Sequence, residues 1–586
     1  MIRCRLLLLP LLLSLPLQAQ FAAIEHPRLL MREADEAAVR QRIEKDPLAA
    51  KLQSAVLAEA DRILTHPTCR YDIPDGRRLL AQSRLAVQQV LFTCWAWRFT
   101  GKAEYRDRAI EELKAACALK DWNTSHFLDT AEMATAVAIG YDWLYADLNA
   151  GQRAMCEKAI RDKALKPAKA VYDSKGWWTK ASNNWSQVCG GGIGLAAIAI
   201  EGKDEGLSGD LIPRSIKLVE RCDHFYEPDG LYPEGPGYWH YGTSYHVLLL
   251  AACKTLSHPM AMPAKLSQSA ESMMHLHGPT SLPFNFADGH AGRQTMTPPQ
   301  SWIATHGGSA MLPGYVRAQL EAADRSGNDK GMRQGYAPLH LLWLPPAGKP
   351  SGKVSLHAVF KGEQSAAMFR TNWQPDAAWL AIKGGSSQGG HSQMDVGTFC
   401  YDAHGERWFH DLGSDNYNMP GYFGSKRFTY FRNQNRSHNT LEINGALQVA
   451  LAAPCQPTES SLSGNPATVT YDLSAAYASS AKSVKRSVAF DATNGRAVIA
   501  DVIEQAKGEI AWRAYTDAKA TIEGKKVILS KKDQSIQLER LSDQGVWSIE
   551  PATPPQSIEN PNKGFQAIVL RVPQKQSVRI EVAIEP

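Results

Sequence analysis

Apolar residues recur at three-and-four spacing through most of the chain from about residue 32 to residue 340. This period places them on one face of a helix. It predicts helices over Ala37–Ile43, Lys51–Ile63, Leu79–Phe99, Ala103–Leu119, Thr130–Tyr145 and Gly151–Ala168. In the fifth of these, Met133, Val137, Ile139, Trp143 and Leu144 carry the stripe. Further helices are predicted over Gly191–Ile200, Leu211–Phe225, Thr243–Leu256 and Leu266–His277. His66-Pro67, Asp75-Gly76, Thr100-Gly101 and Asn149-Ala150-Gly151 punctuate the run as turns. Short links between many helices of similar length imply stacked antiparallel pairs. These close into an (α/α) toroid or form an open superhelix.

The period changes after Leu344–Gly352, where LPPAGKPSG gathers three prolines and two glycines. Beyond it, alternating apolar and polar positions predict strands at Ala377–Ile382, Val396–Tyr401, Thr440–Ile443, Ala467–Tyr471, Val484–Phe490, Ala497–Val502, Val527–Leu529 and Val578–Ala583. Strands in sequence without intervening helices make an antiparallel β-sandwich. The reading is a two-domain α+β chain. Residues 1–19 form a signal segment, 20–344 the helical toroid domain, 345–352 a linker and 353–586 the sheet domain. The cleft between the domains is the default ligand site.

Composition adds less. The 586 residues are 44% hydrophobic and 21% charged, which excludes wholesale disorder. The formal charge is +5, about +3 once Arg3 and Arg5 are removed with the signal segment. That is too weak a basic balance to indicate nucleic acid. Arg3 and Arg5 followed by the apolar run Leu6–Leu17 read as a secretory signal cleaved after Ala19. No later run reaches the length of a membrane span. The expectation is an exported protein, periplasmic in a two-membrane host, with no membrane anchor. Cys69, Cys94, Cys117, Cys156, Cys189, Cys222, Cys253, Cys400 and Cys455 are odd in number and irregular in spacing. They read as buried thiols rather than a disulfide framework. The 15 Trp and 19 Tyr suit sugar stacking, and equally a large core.

Five segments carry more polar and aromatic residues than packing requires. Ser182–Gln187 holds Asn183 and Asn184, either a helix cap or an amide donor for a substrate carboxylate. Asp229–Gly242 has four glycines and two prolines and reads as a loop loaded with Tyr, Trp and His, either a plug at the bundle end or part of a site. Asp288, in Phe286–His290, is a turn residue or a site residue. Gly389–Asp395 leads into a strand, and Asp411 joins Asn435–Thr440. Together these offer His, Asp and His on neighbouring strands, in the manner of a metal site, although any single His there is equally a satisfied structural group.

These segments, in this order, resemble the heparinase II/III-like family of polysaccharide lyases. The resemblance is carried by SHFLDTAEM at 125–133, NNW at 183–185, YPEGPGYWHYGTSY at 232–245, GHSQMDVGTF at 390–399, HDLG at 410–413 and RSHNTLEING at 436–445. It implies an (α/α) toroid followed by an antiparallel β-sandwich, acting on an acidic polysaccharide by β-elimination. Such chemistry needs a donor to hold the uronate carboxylate as charge develops, a base for the C5 proton and an acid for the leaving O4. The resemblance assigns Asn184, alone or with Asn183, as neutraliser, Tyr238 or Tyr241 as the catalytic tyrosine, and His391 as partner base or carboxylate contact. It places Asn183, Trp185, Glu234, His240 and Arg436 against substrate. It also implies one structural divalent ion, zinc or calcium, on Gln393, Asp411 and His438. Here Gln393 stands where the family commonly has His. For sulfate groups, Lys383, Arg293, Arg432 and Arg436 are candidates. The rival readings are a toroid glycoside hydrolase, drawing on Glu234, Asp288 or Asp129, and a glycan-binding protein without activity.

Overall fold

The computed structural model describes residues 24–258, 260–290, 292, 297–307, 310–325, 335–348 and 354–586. The expected signal segment, Arg293 and the end of the expected linker lie outside the described residues.

The N-terminal part is an (α/α) toroid. Phe127–Trp143 packs against Leu80–Thr100 on one side and Asn184–Ala199 on the other, and Asn184–Ala199 packs in turn on Pro236–Thr255. Ala103–Ala118 and Leu207–Glu220 cover this inner row from outside. Inner helices touch neighbours all round, and every residue of Phe127–Trp143 is buried. A helix apolar on all sides is the expected result of that position. Glycines set the inner spacing. A Cβ on Gly191 would meet the Tyr245 carbonyl at 2.5 Å, and one on Gly192 the Ala131 carbonyl at 2.6 Å.

The second half of one expected loop is helix. Within Asp229–Gly242, the helix Pro236–Thr255 begins at Pro236, seven residues before the expected start at Thr243. Proline fits the first helical position because no backbone donor is needed there. Gly235 before it has φ 85°, which favours glycine. Gly242 lies inside the helix at a position where a Cβ would collide with Gln187 Oε1. The glycines serve a turn and a close packing contact, and do not break the helix.

The C-terminal part is built from antiparallel sheets. Five strands, from Ala358–Phe360 to Glu406–Phe409, pair in chain order. The middle three, Ala366–Arg370, Trp379–Lys383 and Phe399–Ala403, are buried on both faces. Ala366, Met368, Trp379, Ala381 and Cys400 pack into the helical core. Their alternates Ala367, Phe369, Leu380, Ile382, Phe399 and Tyr401 pack into the sandwich. This sheet therefore joins the two parts. Burial of both faces also removes the polar alternation that marks a half-exposed strand. An eight-stranded sheet centred on Ser483–Phe490, Ala497–Glu504 and Ser577–Glu585 follows, with a four-stranded sheet that includes Leu441–Ile443 and Ile510–Thr516.

The expected strand start at Thr440 shifts to Leu441, and a short 3-10 turn, Asn435–Ser437, precedes it. Asparagine amides there satisfy the backbone in place of a ladder. Asn435 donates to Leu441 O at 3.0 Å, and Asn439 to Phe399 O at 2.6 Å and His410 O at 3.0 Å. The fully buried Arg486, paired with Asp501, reaches Gly397 O at 2.6 Å and Asn439 O at 3.1 Å. All nine cysteines named above are buried and free.

Candidate active site

The site forms where helix starts of the toroid meet irregular segments of the sheet domain. Asn183 caps Asn184–Ala199, its Oδ1 accepting from the Trp185 amide at 3.1 Å. Asn184 is the first helical residue. Its backbone N–H donates to Glu234 Oε2 at 2.6 Å and its Nδ2 to Glu234 Oε1 at 3.0 Å. A carboxylate at a helix N-terminus is favoured by the free amides and the helix dipole. The same Glu234 carboxylate accepts from His391 Nδ1 at 2.5 Å, across the domain boundary. With its proton on Nδ1, His391 presents Nε2 as an acceptor, and Nε2 has no partner among the described residues. Glu234 is buried and held by protein donors, so it lies behind His391 and Asn184.

Tyr238, in the first turn of Pro236–Thr255, stacks on His391 with ring centroids 3.8 Å apart and planes 17° apart. Its hydroxyl shares a hydrogen bond of 2.7 Å with the hydroxyl of Tyr417 from the sheet domain. Burial pushes both phenols well above their ordinary range. Both therefore stay protonated at neutral pH. Phe423 lies edge-on to His391 at 5.7 Å and to Tyr417 at 4.8 Å. Sequence reasoning missed Tyr417. Its only signal was position, six residues after Asp411 in a segment rich in Asn, Asp and Gly.

Asp288 fixes the turn that carries His391. Its backbone N–H donates to His391 O at 3.0 Å. Its Oδ1 accepts from Gln393 Nε2 and Arg427 Nη2, each at 2.8 Å. Arg427 Nε reaches Ser392 O at 2.9 Å. Asp395 binds Lys383 at 2.6 Å and the Ala287 amide at 2.9 Å. Residues 391–395 are thus clamped by buried charged groups.

Of the other expected residues, Trp185 flanks Asn184 and packs at a tilt of 53° against Trp177. Tyr241 points along the toroid instead, donating to Glu132 at 2.7 Å beneath the Arg84 guanidinium. His240 is turned away from Tyr238. Its Nδ1 meets Thr297 Oγ1 at 2.8 Å, and burial pushes its pKa down to about 3. Arg436 bonds Gly445 O at 3.2 Å and faces Glu442. Lys383 is consumed by Asp395, and Arg432 by Asn562 and Ser414 O.

The residues expected to hold an ion do not make a complete ligand set. Asp411 accepts from Gly413 N at 2.8 Å on Oδ1 and from His438 Nδ1 at 2.8 Å on Oδ2. Gln393 spends its amide nitrogen on Asp288. His438 Nε2 and Gln393 Oε1 are buried without partners, which leaves two free donors. A structural zinc site takes four ligands. Among the described residues no group of three His, Cys, Asp or Glu side chains is arranged to hold a metal.

Residues 361–582, most of the sheet domain, match the family model described as Heparinase II/III-like, C-terminal. The fold is that of the heparinase-type lyases. The heparan sulfate lyase HepC from Pedobacter heparinus superposes with a TM-score of 0.59 at 14% identity, over 97% of this chain and 86% of that one. A heparinase III superposes with a TM-score of 0.62 at 13% identity, over 91% of this chain and 85% of that one. No curated protein matches the chain by sequence.

Proposed function

We propose that this chain is an exported polysaccharide lyase that cleaves a uronate-containing polysaccharide, such as heparan sulfate or an alginate-like chain, by β-elimination. The observation that carries this reading is the stacked Tyr238–His391 pair. It sets a protonated phenol beside an imidazole with a free Nε2, next to the amides of Asn183 and Asn184. The substrate carboxylate is held by Asn183, whose Nδ2 has no partner among the described residues and lies near Gly390. Asn184 is tied to Glu234 and keeps that carboxylate on His391. His391 Nε2 takes the C5 proton, and the electron pair forms the C4=C5 double bond as the C4–O4 bond breaks. Tyr238 donates its hydroxyl proton to the departing O4, and Tyr417 supplies the hydrogen bond that steadies the phenolate left behind. No step requires an ion. Glu234 and Asp129 are taken up by protein donors, which disfavours the pair of opposed free carboxylates a hydrolase needs.

Export rests on the apolar segment Leu6–Leu17 after Arg3 and Arg5. No helix among the described residues is long and apolar enough to cross a membrane. The test is mass spectrometry of products from a panel of uronate polysaccharides. Elimination yields fragments lighter by one water than hydrolysis does. Products carrying the added water would overturn the reading.

A further inference from the structure

Beside the amides of Asn183 and Asn184 stands an aromatic surface that the chemistry above does not use. Trp177 is 56% exposed, the highest exposure of any tryptophan among the described residues. It is not a loose surface residue. It opens the short turn Trp177–Thr179, and the next residue, Trp178, is buried against Phe127 at 4.9 Å and Tyr172 at 5.1 Å. Ser186 Oγ lies 2.8 Å from Trp178 O and 2.9 Å from Ala181 O, tying this turn to the helix that carries Asn184. The Trp177 ring leans on Trp185 at 4.5 Å. Trp185 meets His126 edge-on at 4.9 Å, and His126 is pinned by Asp129 at 2.6 Å. The two indoles thus form a rigid wall continuous with the site. Lys175 and Lys180, both exposed, flank Trp177 in the chain.

Single exposed apolar residues are common and need no explanation. A braced pair of indoles is different, because the ordering cost is already met by the fold. The flat face of a pyranose ring presents C–H groups, which match the electron-rich face of an indole. The flanking lysines favour an acidic chain. We infer that Trp177 and Trp185 form a stacking subsite for one pyranose ring of an acidic polysaccharide, adjacent to the sugar whose carboxylate Asn183 holds. This assignment rests on the lyase reading and names a subsite within it.

The test compares wild type, Trp177→Ala and Trp177→Phe by steady-state elimination and by retardation in gels containing the same polymer. Trp177 is exposed, so its loss leaves the core intact, and equal melting temperatures check this. Trp177→Ala is expected to raise KM about ten-fold, with kcat held within about two-fold, and to lose retardation. Trp177→Phe, which keeps a ring face, is expected to stay within about three-fold of wild type in KM. Elimination by wild type with unchanged KM and retardation in Trp177→Ala would overturn the subsite and leave the lyase reading standing. A wild type that neither cleaves nor is retarded by any uronate polymer would overturn both.

Discussion

The toroid and the sheet domain bring their residues to the site by different means. The toroid offers helix starts: Asn183 and Asn184 begin one helix and Tyr238 lies in the first turn of another. These residues stand on tightly packed helices whose spacing is set by glycines. The sheet domain offers irregular segments: His391 precedes a strand and Tyr417 lies in the long excursion between two strands. Their positions rest on buried charges and amides: Lys383–Asp395, Arg427–Asp288 and Asn439. One side of the site is therefore held by packing and the other by polar networks. A network of buried charges fails when one member is removed and its partner is left unpaired, whereas the packed helices fail when a glycine at a close approach gains a side chain.

That contrast can be broken at several points. The largest expected effect is at Lys383, which is 1% exposed and paired with Asp395. Lys383→Ala leaves a buried carboxylate unpaired and should cost about 3–5 kcal/mol of unfolding free energy, read by denaturant titration. An exposed ion pair of the toroid such as Lys169–Asp173 should cost far less when cut, because water screens it. Next is the bond that spans the two parts. Glu234→Gln keeps an acceptor for the Asn184 amide but removes the charge that orients His391. The turnover number should fall about 100-fold, equivalent to roughly 2.7 kcal/mol, while the melting temperature moves little.

Acid should separate the two regions by stability. Burial holds His240 and His275 of the toroid down to about 3. The unfolded chain protonates near the ordinary imidazole value of about 6.5. Each group therefore contributes its full stability above about pH 6.5 and loses it as pH falls toward 3. On the order of 2 kcal/mol each is lost by pH 5. In the sheet domain burial also lowers His357 and His410, but Asp411 raises His438 overall, so protonation of His438 favours the fold and offsets part of the loss there. Circular dichroism during an acid titration should show helix signal lost before strand signal. Simultaneous loss would contradict this difference.

Smaller effects sharpen the picture. Tyr417→Phe removes one hydrogen bond from Tyr238 and should lower the turnover number about ten-fold, roughly 1.4 kcal/mol. The smallest expected effect is that of a chelator. Dialysis against EDTA should shift the melting temperature by less than about 1 °C, because both Asp411 oxygens accept protein hydrogen bonds and only His438 Nε2 and Gln393 Oε1 are left over, short of a four-ligand set. A drop of several degrees would show that an ion is part of the fold.

Much of the architecture is legible in the sequence because each part obeys one period: three-and-four for the toroid, two for the outer strands. The legibility fails where local pattern and environment part company. The strand Ala366–Arg370 escaped notice because both its faces are buried and its alanines are weak strand formers, and the first two turns of Pro236–Thr255 because glycines needed for packing look like a loop. At the site, motifs pointed to Asn184, Tyr238 and His391, which the structure gathers around Glu234. They could not reveal that Tyr241 and His240, one turn or less from Tyr238, face elsewhere. A helix turns about 100° per residue, so His240 points about 200° away from Tyr238, and Tyr241, only about 60° off, is turned by its bond to Glu132. Tyr417 was invisible because its partner lies 179 positions away.

The most direct test of the account is the ultraviolet absorbance of the C4=C5 double bond, followed for wild type and Tyr238→Phe on the same panel of uronate polysaccharides. The account predicts that wild type produces the absorbing product from at least one polymer. It also predicts that Tyr238→Phe, with an unchanged melting temperature, falls by about 1,000-fold or more. Wild-type rates in the variant, or no absorbing product from wild type on any polymer, would contradict it.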